Sequence, residues 1–268
     1  MAFCVAEKLE EKDVDLSATL TIDTVRHLPT YQPEIDRLLG TFLPQMAQEG
    51  ATIDHIALLA LQSLVFSVIF HGILAPFVPN CAAAHHPALT ALTDILDLIS
   101  KQESQEKSGR WRIMTYKALR TTRNDKAFAL QISTELFFAL RQLLSATLTS
   151  PVGDTEAFYQ DIFEGLADRA NKLINTAIQI QDLAKQVYIS CDYSIYYPNP
   201  NDMFSPDTME IVDPGPEVSG RLKTALRRSQ TRGRVLLPLA PGLRAFRGGA
   251  QLSGSTTVVK KAKVIAIL

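Results

Sequence analysis

From His55 to Thr93 the chain carries no Asp, Glu, Lys or Arg. A run as long and apolar as "IDHIALLALQSLVFSVIFHGILAPFV" has two homes only, the centre of a large protein core or a lipid bilayer. Ser63, Ser67 and His71 recur within it every four residues, with Gln62 beside them. That spacing lays a polar stripe along one helix face, which a lone helix in lipid does not tolerate and a helix surrounded by protein can satisfy. The sequence therefore predicts a buried central helix, with membrane association through residues 53–78 as the alternative.

A core helix needs helical neighbours, and the flanking sequence supplies them. Residues 1–30 show no sustained period and read as a loosely ordered lead-in. Pro33 suits the first position of a helix ending near Gly50, and Pro44 must kink or break its interior. Pro87 opens another helix, with Leu89, Leu92, Ile95, Leu96 and Ile99 on one face. A short basic helix follows, carrying the chain's single Trp. Next comes a helix with Phe128, Ile132, Leu136, Leu140 and Leu143 on one stripe, capped by Asn124 or Asp125. Asp154 or Thr155 caps a last, long helix reaching about Ile189, with Phe158, Ile162, Leu166, Leu173, Ala177, Ile180, Ala184 and Val187 inward and Gly165 as its weak point.

Beyond Ile189 the pattern changes. "YISCDYSIYY" has the β-branched and aromatic content of a strand, "RVLLPLAPGL" is a short apolar run, and "TTVVKKAKVIAIL" reads as a strand with a charged interruption. Between them, residues 191–217 hold a Pro- and Asp-rich connector that can sustain neither a helix nor a central strand. The expected fold is mainly α, a bundle of about five or six helices over residues 31–190. A small, basic, β-containing C-terminal appendage occupies residues 218–268.

Charge divides along the same line. The net charge of -1 conceals 11 Lys and Arg with no Asp or Glu in residues 218–268. The preceding 217 residues hold 16 basic against 28 acidic side chains, and so carry -12. Arg221, Lys223, Arg227, Arg228, Arg232 and Arg234 crowd into one short stretch, the candidate binding residues for a charged partner. The partner expected is the chain's own acidic body or an acidic protein. Nucleic acid and anionic lipid are alternatives, although Leu and Ala rather than aromatic rings separate the cations, which leaves no platform for stacking bases.

Sites for chemistry are harder to nominate. Asp202, Asp207, Glu210 and Asp213 share a loop but lack the spacing of a calcium loop, so they read as solvated turn residues. Cys81, His85, His86 and His71 are zinc-capable types without paired ligand spacing. Asp94 and Asp97 suit a magnesium–diphosphate helix, but Asn171, Asn175 and Asp182 are too widely spaced to complete one. No phosphate loop, dinucleotide fingerprint or nucleophile elbow occurs. No metal or cofactor is expected. Cys4, Cys81 and Cys191 are odd in number and far apart, which favours a reducing, intracellular compartment, and no targeting signal is readable.

The succession of a long helix, "MFSPDTMEIV", "RVLLPLAPGL" and "VVKKAKVIAIL" resembles the C-terminal half of the GrpE nucleotide-exchange factors. Met203, Phe204, Pro206, Met209 and Glu210 lie in the matching turn, and Lys261, Ala262, Lys263 and Val264 in the closing strand. Ser205 stands where that family has an acid and Met209 where it usually has a histidine. The resemblance, over residues 155–268, implies a dimer engaging a heat-shock chaperone through a small β-domain. From the residues themselves the leading expectation is a non-enzymatic interaction protein with a basic C-terminal arm, and the alternative is a helical enzyme with a pocket near Ser63 and His71.

Overall fold

A computed structural model describes residues 32–44, 53–77, 87–121, 123–147, 155–187, 191–212, 233–249 and 252–267. Among the described residues six α-helices are followed by six strands: α1 (Gln32–Arg37), α2 (Ile53–Ile69), α3 (Pro87–Gln102), α4 (Gln105–Arg120), α5 (Asp125–Thr147), α6 (Thr155–Gln186), β1 (Asp192–Tyr196), β2 (Met209–Ile211), β3 (Arg234–Ala240), β4 (Gly242–Gly249), β5 (Leu252–Lys260) and β6 (Ala262–Ile267). The chain is mainly α with a small sheet part at its C-terminal end, as the sequence leads one to expect.

Proline shapes the first two helices in the same way. α1 runs into a π-helical turn over Leu38–Phe42, closed by the Leu43 amide donating to the Leu38 carbonyl, two residues before Pro44. α2 runs into another over Phe70–Leu74, closed by the Ala75 amide donating to the Phe70 carbonyl, just before Pro76. A proline ring clashes with the carbonyl four residues upstream, and widening the turn relieves it. The expected kink at Pro44 is thus a widened turn.

α2 and its π-turn lie at the centre. Ile56, Leu61, Leu64, Val65, Val68, Ile69 and Ile73 are buried in one cluster with Leu38 and Phe42 from the first helical segment, Ile132, Leu136 and Leu140 from α5, and Ile162, Leu166, Ala170 and Ile174 from α6. The stretch Ile56–Leu74, of mean hydropathy 2.1, is long and apolar enough to cross a bilayer, yet 67% of it is buried inside the protein. Its apolar faces are occupied by the chain's own side chains.

The same core continues into the strands. Leu236, Leu237 and Leu239 of β3 and Ile265 of β6 belong to the α2 cluster. The helices and the sheet part therefore share apolar packing across the connector. Arg37 donates from one guanidinium nitrogen to the Leu236 carbonyl at 3.0 Å, and Gln62 donates to the Leu239 carbonyl at 3.2 Å. Tyr197 bridges the parts again, with its hydroxyl 3.1 Å from the Ser63 carbonyl and 2.9 Å from the Pro238 carbonyl.

Two three-stranded sheets form, ordered β1-β4-β5 and β2-β6-β3. All neighbours are antiparallel except β2 and β6. Pro238 sits on β3, an edge strand where its missing amide costs no ladder bond, and the register shifts on either side of it. Tyr196 ties the sheets together. Its ring lies over Gly242 of β4 and under the Arg244 guanidinium, 3.9 Å away, while its hydroxyl donates to the Thr208 carbonyl beside β2.

Residues 199–208 form hydrogen-bonded turns against the start of β3. The Asn199 amide donates to the Asp202 carboxylate at 2.7 Å, Phe204 to the Gly233 carbonyl at 2.7 Å, and Val235 to the Asp202 carbonyl at 2.8 Å. Phe204 and Met209 pack with Val235, Val264 and Ala266 in a second, smaller core. Asn201 takes the left-handed conformation at φ 70°, which its short polar side chain tolerates.

Candidate functional site

Five of the six expected charged-partner residues, Arg221, Lys223, Arg227, Arg228 and Arg232, lie outside the described residues. Arg234 opens β3, where it is exposed and donates to the Asn201 carbonyl at 2.9 Å. It thereby braces the turn beneath it.

The acidic counterpart is visible on the helices. Asp161, Glu164 and Asp168 of α6 are exposed and spaced so that they fall on one face. Asp94 and Asp97 of α3 are exposed as well, Asp97 pairing with Lys101 at 2.5 Å. Inside the fold, charge is balanced: Glu34 with Arg37, Asp192 with Arg112, and Asp125 and Asp182 with Arg120 and Arg123. Four acids meet four arginines there. Among the described residues these internal pairs cancel, and exposed acids stand on α3 and α6.

The most elaborate of these arrangements links α4, α5 and α6. Asp182 accepts from the Tyr116 hydroxyl at 2.7 Å and from Arg120 at 2.9 Å, with Arg123 3.4 Å away. Asp125 accepts from Arg120 at 3.0 Å and from Arg123 at 2.6 Å. Burial alone would push the Asp182 carboxyl up, but the donors Arg120 and Tyr116 and the charge of Arg123 overcome it and hold the group below its usual range. Tyr116, fully buried, is pushed up by burial and by Asp182. Beside this set, Arg112 reaches Asp192 at 2.8 Å and donates to the Ala184 carbonyl at 2.9 Å. Lys185 lies with its ammonium 5.6 Å from the centre of the Phe77 ring, and burial, with the nearby Arg112 charge, lowers its pKa to about 8. Sequence reasoning passed over this network. The signal for it was the recurrence of Arg112, Tyr116 and Arg120 every four residues along α4.

The polar stripe on α2 is split between core and surface. Ser63 and Ser67 are buried, and the Ser63 hydroxyl lies 3.4 Å from a Glu34 carboxylate oxygen. His71 is exposed, its ring edge-on to Phe70. Eight residues of helix place His71 about 12 Å along the axis from Ser63, so hydroxyl and imidazole do not form a nucleophile–base pair.

Among the described residues no group of three His, Cys, Asp or Glu side chains is placed to hold a metal ion. Cys81, His85, His86 and Asp213 lie outside them. Asp202 is engaged by the Asn199 amide, and Asp182 by Tyr116 and the arginines. Asn171 and Asn175 line a shallow hollow with Asp125, Lys126, Ala129 and Leu130, away from Asp94 and Asp97. Compared with known proteins, no family model, no curated protein and no solved structure matches the chain.

Proposed function

We propose that this chain is a non-catalytic interaction protein whose basic segment, residues 221–234, docks on an acidic surface of its own body or of an acidic protein partner. The observation that carries the reading is the segregation of charge, 11 cations and no anion in residues 218–268 facing a body of charge -12. Internal ion pairs take up equal numbers of acids and arginines, and Asp161, Glu164 and Asp168 form an exposed acidic stripe on α6. A cationic arm and an anionic helix face attract over about a Debye length, so the docking is strongest at low salt.

The test is limited trypsin cleavage within residues 221–234 of the full chain, with increasing salt. Self-docking predicts slow cleavage at low salt, faster cleavage at high salt, and fast cleavage throughout in an Asp161→Lys/Glu164→Lys/Asp168→Lys variant. Cleavage indifferent to salt and to the variant removes self-docking. Retained partner binding by an Arg227→Glu/Arg228→Glu variant removes the arm altogether. Salt-sensitive binding of labelled RNA or duplex DNA by the full chain, lost on those two substitutions, would transfer the arm to phosphate recognition.

A second reading follows the GrpE resemblance, and the order of a 32-residue α6 followed by six strands favours it. It predicts accelerated nucleotide release from a heat-shock chaperone. An unchanged release rate would leave only the interaction protein.

A further inference from the structure

Lys185, near the end of α6, stands where two cations meet one carboxylate. Arg112 crosses from α4 to Asp192 at 2.8 Å and donates to the Ala184 carbonyl at 2.9 Å, which sets a guanidinium beside the next residue along the helix. Arg112 and Asp192 are the charged groups that act on Lys185, and they pair with each other. The ammonium is the charge left over. Among the described residues no acceptor takes a hydrogen bond from it, and its neighbour is the face of the Phe77 ring, 5.6 Å away. A ring face returns a little of what a cation loses on leaving water, but burial and Arg112 outweigh it, and the pKa falls to about 8. The side chain is only partly buried, and its nitrogen is not sealed from solvent. An amine desolvated beside a second cation, yet reachable, is an activated nucleophile.

We propose that Lys185 is a modification site that accepts a small acyl group from an acyl phosphate. The neutral amine attacks the acyl carbon and a C–N bond forms. The C–O bond to phosphorus-bound oxygen breaks, inorganic phosphate leaves with the electron pair, and the surplus proton on nitrogen passes to water. The partial burial of the side chain favours a donor no bulkier than this. The product amide is neutral, so it removes the ammonium that burial disfavours and leaves Arg112 and Asp192 as a balanced pair. Acylation therefore tightens the meeting point of α4, α6 and β1. The site owes nothing to the docking arm.

Treatment of the folded full chain with acetyl phosphate, with acetyl-lysine located by peptide mass spectrometry, tests it. An amine of pKa about 8 is roughly one-tenth neutral at pH 7, against less than about 0.1% for an ordinary lysine. Lower basicity weakens the nucleophile and takes back much of that gain. Lys185 should acetylate about tenfold faster than the exposed Lys126 and Lys172, at a rate that climbs to about pH 8 and then levels. The acetylated chain should also melt at a higher temperature than the untreated one. Lys185→Arg keeps the cation and should abolish both the label at this position and the rise in melting temperature. Labelling of Lys185 no faster than that of Lys172, or labelling that appears only as urea unfolds the chain, overturns the proposal. So does a change in melting temperature equal in the treated wild type and the treated Lys185→Arg variant.

Discussion

Asp182 is the point at which three helices are held together, and Asp182→Asn measures what that is worth. The carboxylate accepts from Tyr116 at 2.7 Å and from Arg120 at 2.9 Å, with Arg123 at 3.4 Å, and only 18% of its side chain is exposed. Hydrogen bonds to a charged acceptor contribute about 1.5–3 kcal/mol each when buried. The partial exposure of Arg120 and the help that both arginines keep from Asp125 reduce the sum. The expected loss is about 2–4 kcal/mol, read as a lower urea midpoint at unchanged slope. Tyr116→Phe should cost about 1 kcal/mol, and the double variant less than the two losses added, because both remove the same bond. The pH dependence has a definite sign. A carboxyl held below its usual range stabilises the fold above about pH 4, and that stabilisation is lost as pH falls through the lower folded value. The Asn variant therefore loses less stability on acidification than the wild type. An Asp182→Asn midpoint within experimental error of the wild type, or an unchanged acid limb, would refute the argument that this network holds α4, α5 and α6 together.

Gly242→Ala should destabilise by about 1–3 kcal/mol, because an added Cβ falls 2.3 Å from the Tyr196 ring carbon that bears the hydroxyl; thermal unfolding checks it. Lys185→Met should stabilise by about 2 kcal/mol at pH 7, since burial penalises the ammonium, whose pKa is about 8. The wild type gains stability as pH rises from there toward the ordinary lysine value, so the variant's advantage shrinks by about pH 10. Tyr116 and Tyr197 are both pushed up by burial, and ultraviolet titration should show these two failing to ionise near pH 10. Their contribution is complete below that pH and lost as pH climbs toward the folded values.

The helices were legible because their apolar residues keep one period. Phe128, Ile132, Leu136, Leu140 and Leu143 are all buried as the stripe on α5 requires, and Asn124, rather than Asp125, accepts from the Ala127 amide at the helix start. α6 runs through Gly165 without a break. The period misleads toward the end of α6, where Ile180 and Val187 are exposed and Gln181 is buried instead, donating to the Pro76 carbonyl. There the inward face is filled by polar contacts that no apolar stripe reports. α3 likewise exposes Ile95 to 48%.

Strands proved less readable. "GLRAFRGG" forms β4, the middle strand of its sheet, although its glycines carry no alternation. β2 is three residues long, too short for any pattern. "TTVVKKAKVIAIL" divides at Lys261 into two strands of different sheets, so the charged interruption is a true junction. Which acids meet that face of α4 could not be foreseen either, because the recurrence of Arg112, Tyr116 and Arg120 marks the face but not Asp182 and Asp192, far along the chain, that pair with it.

The shared core also sets a timetable. α2 is complete at Ile69, but the leucines of β3 that pack on it begin at Leu236, about 170 residues later in the chain. At ordinary synthesis rates of about 5–20 residues per second, roughly 10 to 30 s separate the two. Throughout that interval the most apolar of the described helices stands with one flank uncovered. A nascent chain of this design depends on prompt folding of α5 and α6 around α2, or on a chaperone, to reach the moment when the sheet closes over it.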